Sequence, residues 1–477
     1  MFMTFSPGYA ILVSLIGKGG LTMARRALLF TLAVLFCLCC PGCSFSGLDA
    51  QNLMAPPKSN ADQQSIHQLL QGDKTELTLV YPKNGEYRSA IIMHDFTGDG
   101  VKDALGFYAK EDRSVVVQFL VKQDGHWETA ATFENTATQV DRVCFADLYG
   151  DGREDVLIGW GSTAGTTGRT AAVSAYLYED GSVTESPLGT YGEMAVTDFD
   201  DDGIDEVFTI DKFVAAEEEG AEPAPAQARV YQLEDGEIQE AASAPADNTI
   251  TNYSALSFGS LTETQRGVVV DGSKADGSMT SQIFLFREGR LENYPQGVNG
   301  ENYQNPYTRP STTSFTCRDI NGDGLLELPI ATLLPGIPDD VTPDSTSYLV
   351  EWRNFSEDGG IRTVLFALMN PRENYWFQVP GWMRDRISAS NNAAQRTTTY
   401  TQVVDSLEGD DQLLGAPLFS IRVFPRPVWE SRGQSSGYQI LAVQGDLVYG
   451  IQPLTQDEEG QRIIQEVTDN FQLISES

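Results

Sequence analysis

From about residue 75 the chain alternates apolar runs of four to eight residues with short Gly/Asp turns, the spacing of strands and hairpins. The pattern recurs. AIIMHDFTGDGVKDALGFYA (90–109), RVCFADLYGDGREDVLIGWG (142–161), EMAVTDFDDDGIDEVFTIDK (193–212) and SFTCRDINGDGLLELPIATL (314–333) each place a nine-residue Asp/Gly loop between two apolar strands. The loops begin at Asp95, Asp147, Asp198 and Asp319, separated by 52, 51 and 121 residues. The last interval is about double the others, so a further copy belongs inside it. YSALSFGSLTETQRGVVVDG (253–272) supplies both strands of that copy but has lost the acids.

Two more strands follow each loop; in the first copy they are Ser114–Val121 and Trp127–Phe133. A four-stranded unit with a period of 50–60 residues cannot bury both faces alone and predicts the blades of a β-propeller. Five blades fit between 75 and 370, and 75–83 (TELTLVYPK) is placed to close the ring with the last of them. Residues 213–229, acidic and rich in Pro and Ala, read as a long hairpin tip, with an interaction loop as the alternative. From Asn374 the repeat is gone. Strands are expected at Thr397–Val404, Leu418–Phe424, Tyr438–Val443 and Leu447–Ile451, and a helix over Glu459–Ile474. The expected fold class is therefore mainly β: a propeller over 75–370, then a small α+β domain over 371–477.

The N-terminus carries a different pattern. From Met23, read as the true start, it runs MARRALLFTLAVLFCLCCPGC. Arg25 and Arg26 precede an apolar stretch, Ala27–Leu38, of signal-peptide length. Gly42-Cys43 follows and resembles the lipobox of bacterial lipoproteins. The resemblance implies removal of residues 1–42, a diacylglycerol on Cys43, and export to the outer face of the cell membrane. Residues 43–74 then read as a tether, with room for a helical turn or two at Ile66–Gly72. Four of the six cysteines lie in this N-terminal region; Cys144 and Cys317 read as small buried residues of the body.

Charge narrows the partners. With 32 basic against 67 acidic residues the net charge is −35, which excludes a general nucleic-acid binder. Many acids fall at fixed loop positions. In the loop from Asp319, side-chain oxygens stand at positions 1, 3, 5 and 9 (Asp319, Asn321, Asp323, Glu327), and Leu325 offers a carbonyl at position 7. Hard oxygens converging on one point suit Ca²⁺. The first loop repeats the set with Asp95, Thr97, Asp99, Asp103 and the Val101 carbonyl. The second has Asp147, Asp151, Asp155 and the Arg153 carbonyl, but Tyr149 at position 3. The third has Asp198, Asp200, Asp202, Glu206 and the Ile204 carbonyl, with Asp201 in place of a glycine and Asp205 added. An EF-hand would need a Glu at position 12 and flanking helices. Position 12 holds Gly106, Ile158, Thr209 and Ile330.

The strand–DxDGDGxxD–strand unit over 75–370 resembles the FG-GAP/VCBS repeats of integrin α-subunit propellers and bacterial surface proteins. That resemblance implies a calcium-stabilised propeller that supports binding. The expected function is a non-enzymatic, surface-anchored binding or scaffolding protein with a protein or glycan ligand. The alternative is a polysaccharide lyase or glycosidase on a propeller scaffold. His67, His94 and His126 are isolated, which disfavours His-dependent catalysis. The GxSxG match at Gly433–Gly437 precedes an expected strand and lacks the strand-to-helix context of a nucleophile elbow. Trp376, Phe377 and Trp382 read as core, with sugar stacking as the alternative.

Overall fold

A computed structural model of the chain describes residues 61–474 apart from 162–170, 217–221, 235, 301–302, 357–359, 381–382 and 406–411. The signal segment, Cys43, most of the tether and Trp382 lie outside the described residues. Gln64–Ser477 form one compact unit.

The described chain is mainly β, arranged as six antiparallel sheets. The first contains β1 (Thr78–Leu79), β2 (Ile91–His94), β3 (Asp103–Ala109), β4 (Val115–Gln123) and β5 (His126–Asn135). The second is β6 (Gln139–Ala146), β7 (Asp155–Gly161), β8 (Ala171–Glu179) and β9 (Ser182–Tyr191). The third is β10 (Glu193–Thr197), β11 (Glu206–Ile210), β12 (Gln227–Glu234) and β13 (Glu237–Pro245). The fourth is β14 (Ile250–Ser260), β15 (Arg266–Lys274), β16 (Ser278–Arg287) and β17 (Arg290–Tyr294), with β18 (Arg309–Pro310) added to β16. The fifth is β19 (Leu328–Leu333), β20 (Tyr348–Phe355), β21 (Ile361–Asn370), β22 (Tyr375–Val379) and, at its far edge, β28 (Phe471–Leu473). The sixth runs in the order β23 (Ile387–Asn392), β24 (Thr397–Asp405), β25 (Gln412–Pro425), β27 (Leu447–Pro453), β26 (Gln439–Gln444).

The turns explain the regularity. Asp124-Gly125, Asp180-Gly181 and Glu288-Gly289 all have positive φ at both residues and join β4 to β5, β8 to β9 and β16 to β17. This is the type I′ geometry that matches the twist of a two-residue hairpin. The arms of the acidic excursion are bridged at Val214 and Ala224, each amide donating to the other's carbonyl at 2.9 Å; its tip, 217–221, is outside the described residues.

Apolar clusters tie each sheet to the next. Phe107, Val117 and Phe119 of the first sheet pack with Val156, Ile158 and Tyr176 of the second. Leu157 and Leu177 pack with Val207 and Tyr231 of the third. Phe208 and Val230 pack with Val268 and Phe284 of the fourth. Ile283 and Leu285 meet Leu328 of the fifth. Leu368 and Phe377 meet Tyr400, Phe419 and Ile451 of the sixth. The other face of the first sheet is covered by helix α1 (Ala61–Gln71), whose Ile66 and Leu70 are fully buried against Ala104, Tyr108 and Leu120. Gly106 makes this possible, since any Cβ there would run into the Leu70 side chain.

Three expectations change. Residues 75–83 do not reach the last repeat: β1 pairs with β3 of its own sheet, sharing that edge with β2. Tyr375–Val379, expected after the repeats, is the fourth strand of the fifth sheet. The last helix, α3 (Glu458–Asn470), stops four residues early because Phe471 packs on Tyr375 and Tyr449, and the chain pairs with β22 as β28. A short helix, α2 (Arg426–Arg432), leads into the GxSxG segment. Ser435 sits there on an exposed turn and donates to the Arg432 carbonyl, so no nucleophile elbow forms. Cys144 and Cys317 are free thiols, half-buried and buried. No helix among the described residues is long and apolar enough to cross a membrane.

Candidate metal centres

The four acidic loops share one backbone. Positions 4 and 6 are left-handed in every copy: Gly98 and Gly100, Gly150 and Gly152, Asp201 and Gly203, Gly322 and Gly324, with φ between 62° and 89°. The position-1 carboxylate sits inside this turn and accepts from its amides. Asp319 Oδ1 accepts from Gly322 at 2.6 Å and Asp323 at 3.2 Å, and Oδ2 from Gly324 at 2.8 Å. Asp95 (Gly98, Asp99, Gly100), Asp147 (Asp151, Gly152) and Asp198 (Asp202, Gly203) do the same. The position-5 carboxylate accepts from the position-7 amide: Asp99 from Val101, Asp151 from Arg153, Asp202 from Ile204, Asp323 from Leu325.

Position 9 separates the loops. It opens the second strand or directly precedes it and is buried in all four, at Asp103, Asp155, Glu206 and Glu327. Glu327 Oε2 accepts from the Ile320 amide at 2.9 Å, while its buried Oε1 has no donor among the described residues. Burial pushes its pKa up to about 7, and Asp323 and Asp319 add to the effect. Glu206 Oε2 accepts from Phe199 at 2.7 Å and Oε1 from Gln232 at 3.0 Å; burial still raises its pKa to about 7. Asp103 accepts from the Thr97 amide at 3.1 Å, and burial raises it more mildly. Burial takes Asp155 to about 7 despite the nearby Arg153 guanidinium and the Tyr178 backbone amide, both of which lower it.

Two loops gather three carboxylates whose oxygens lie within 4.8 Å of one another: Asp198, Asp200 and Glu206, and Asp319, Asp323 and Glu327. Asn321 joins the second group, accepting from the Asp323 amide at 2.9 Å and donating to Asp323 Oδ2 at 2.9 Å. These acidic groups can hold a metal ion. The loops from Asp95 and Asp147 bring no such triple together among the described residues. In the second loop the Tyr149 hydroxyl is turned away to Glu179, and the Arg153 side chain lies over the Tyr149 ring, 3.8 Å from Asp151. A cation of the chain's own thus stands beside that loop.

Loops of successive sheets are stitched together, which loop spacing alone does not reveal. His94 Nε2 meets Glu154 at 2.8 Å, and Arg153 packs on Gly98. Asp147 donates its amide to Asp205 Oδ2 and accepts from the Asp205 amide, both at 2.9 Å. The added acid of the third loop therefore serves its neighbour. Arg266 reaches Asp201, and the Leu326 amide donates to Ser260 at 2.8 Å. The fourth sheet lacks the nine-residue acidic loop because its connection is short. Ser260 pairs with Arg266 where His94 pairs with Asp103, leaving residues 261–265 in place of 95–102.

No family model matches the chain, and no curated protein matches it. Among solved structures it is similar to a rhamnogalacturonan lyase of Bacillus licheniformis, at 12% identity and a TM-score of 0.29, over 72% of this chain and 77% of that one.

Proposed function

We propose that the chain is a calcium-stabilised β-propeller of FG-GAP/VCBS type, carried by a lipid on Cys43 at the outer face of a bacterial cell membrane, where it binds or scaffolds a protein or glycan. In this reading the repeats from residue 75 to the end of β22 at Val379 are the blades, and the chain from β23 onward is an appended α+β region. Calcium occupies the loops from Asp198 and Asp319 first. The observation that carries the reading is Glu327: a buried carboxylate with one oxygen lacking any donor, set against Asp319 and Asp323 in a loop whose backbone recurs three more times. A divalent cation would relieve both the unmet oxygen and the repulsion among the acids. Sequential antiparallel sheets, each packed on the next, support the blade assignment.

A weak, extracellular-type affinity of ~10⁻⁴–10⁻³ M suits such a site. Melting of the purified chain in calcium and in EDTA tests the reading. A midpoint indifferent to calcium would remove its support.

A further inference from the structure

A polar cleft of about 610 Å³ opens where the segment after β18, the β19–β20 connection, the β21–β22 turn and the β23–β24 turn meet. That is within the usual size of small-ligand sites, ~300–1,000 Å³. It is far in sequence from the first three acidic loops, and it contains two arginines in a chain with only 32 basic residues. We propose that this cleft binds a sugar acid: the ligand's carboxylate on Arg372 and Arg396, its hydroxyls on Thr313, Asn374 and Asp344.

The arginines are held from behind. Glu373, 5% exposed, accepts from Arg396 Nε at 2.8 Å and Nη2 at 2.6 Å through one oxygen, while its other oxygen lies 3.8 Å from Arg372 Nε. Glu373 is itself fixed, since its amide donates to Asn370 Oδ1 at 3.1 Å. Asn370 is fully buried and donates to Thr398 at 2.9 Å. One buried carboxylate thus orients the Arg396 guanidinium and stands near that of Arg372, while the second acid of the cleft, Asp344, is exposed. Both η nitrogens of Arg372 and Nη1 of Arg396 have no partner among the described residues. A planar fork of that kind suits a carboxylate in two-point contact. The backbone is also committed. Arg396 and Asn374 both take left-handed φ, 49° and 55°, a conformation that non-glycine residues hold at a cost.

The walls select the rest of the ligand. Among the described residues no aromatic side chain lines the cleft. Apolar ligands therefore gain little there. The Thr313 hydroxyl and the Asn374 amide are exposed, with no side-chain hydrogen bond among the described residues. Asp344, exposed at the rim, accepts from a hydroxyl and repels a second negative charge. A single carboxylate on a hydroxyl-rich skeleton meets all of these groups; a polyphosphate does not. The inference goes beyond the calcium reading and needs no metal in the cleft.

Titration calorimetry of the full chain in calcium buffer, with a uronic-acid trisaccharide and its neutral counterpart, tests it. The acidic sugar is expected to bind at least tenfold more tightly. Arg372→Gln should weaken acid binding at least tenfold with an unchanged melting midpoint, since Arg372 is exposed and loosely paired. Equal affinity for the two sugars, or no effect of Arg372→Gln, overturns the proposal. Melting in EDTA reports separately on calcium, so either reading can fail while the other stands.

Discussion

At the scale of single residues, the acidic loops are held by backbone conformation as much as by charge. Gly324 has a φ of 87°, and a Cβ there would meet nothing within 4 Å. Gly324→Ala therefore isolates the cost of left-handed backbone, about 1–2 kcal/mol, and urea unfolding in EDTA should show that loss without any change in calcium ligands. The buried carboxylates make a prediction about pH. In the metal-free protein Glu206 and Glu327 titrate near 7, above the ordinary range of an unfolded Glu, because burial penalises the charged form. The folded state then holds more protons than the unfolded one between about pH 4.3 and 7. Stability in EDTA should be full below that window and fall as pH rises through it. Calcium should reduce the fall, because it binds the ionised forms of Glu206 and Glu327; Asp155, raised to about 7 in the second loop, keeps its share. Glu327→Gln should flatten the EDTA curve and diminish the calcium effect together; a variant that kept the wild-type pH dependence would show that the titration lies elsewhere.

At the scale of elements, the strands around the acidic loops and the hairpin turns were legible in the sequence. Alternating burial and Asp-Gly chemistry are local signals, and β4, β5, β24 and β27 lie within a few residues of the expected spans. What escaped the sequence was pairing. Nothing local in 75–83 says that Leu79 lies beside Tyr108, and helical periodicity persists through Phe471 although tertiary packing turns that residue into a strand. The fourth sheet hides a similar case. Midway along β15, a fully buried Asp271 pairs with a fully buried Arg309 at 2.6 Å, and its other oxygen accepts the Cys317 amide at 2.7 Å. The partners are 38 residues apart, with no motif to link them. Breaking one side strands a charge in the core, so Asp271→Ala should cost about 3–5 kcal/mol. Asp271→Leu with Arg309→Met should recover most of that loss in equilibrium unfolding, because both charges then disappear.

At the scale of the molecule, the four loops appear equal in sequence but not in the structure. Each has an acid at positions 1, 5 and 9, yet among the described residues only those from Asp198 and Asp319 bring three carboxylates within reach of one ion. The loop from Asp147 differs for two visible reasons: Tyr149 donates no ligand at position 3, and Arg153 supplies a positive charge. That asymmetry, combined with contacts running from loop to loop, sets the response to calcium. An ion bound at a hundredfold above its dissociation constant adds about 2.7 kcal/mol per site. Glu206→Gln and Glu327→Gln should each remove one such share of the calcium-induced rise in melting midpoint, and the double variant nearly all of it. Asp151→Asn should remove little. Asp205→Ala should act differently again, since its carboxylate holds the Asp147 amide of the neighbouring loop. It should lower the midpoint in calcium and in EDTA by similar amounts, marking it as a strut between sheets and not a ligand. A loss confined to calcium would place Asp205 in the ion's own shell.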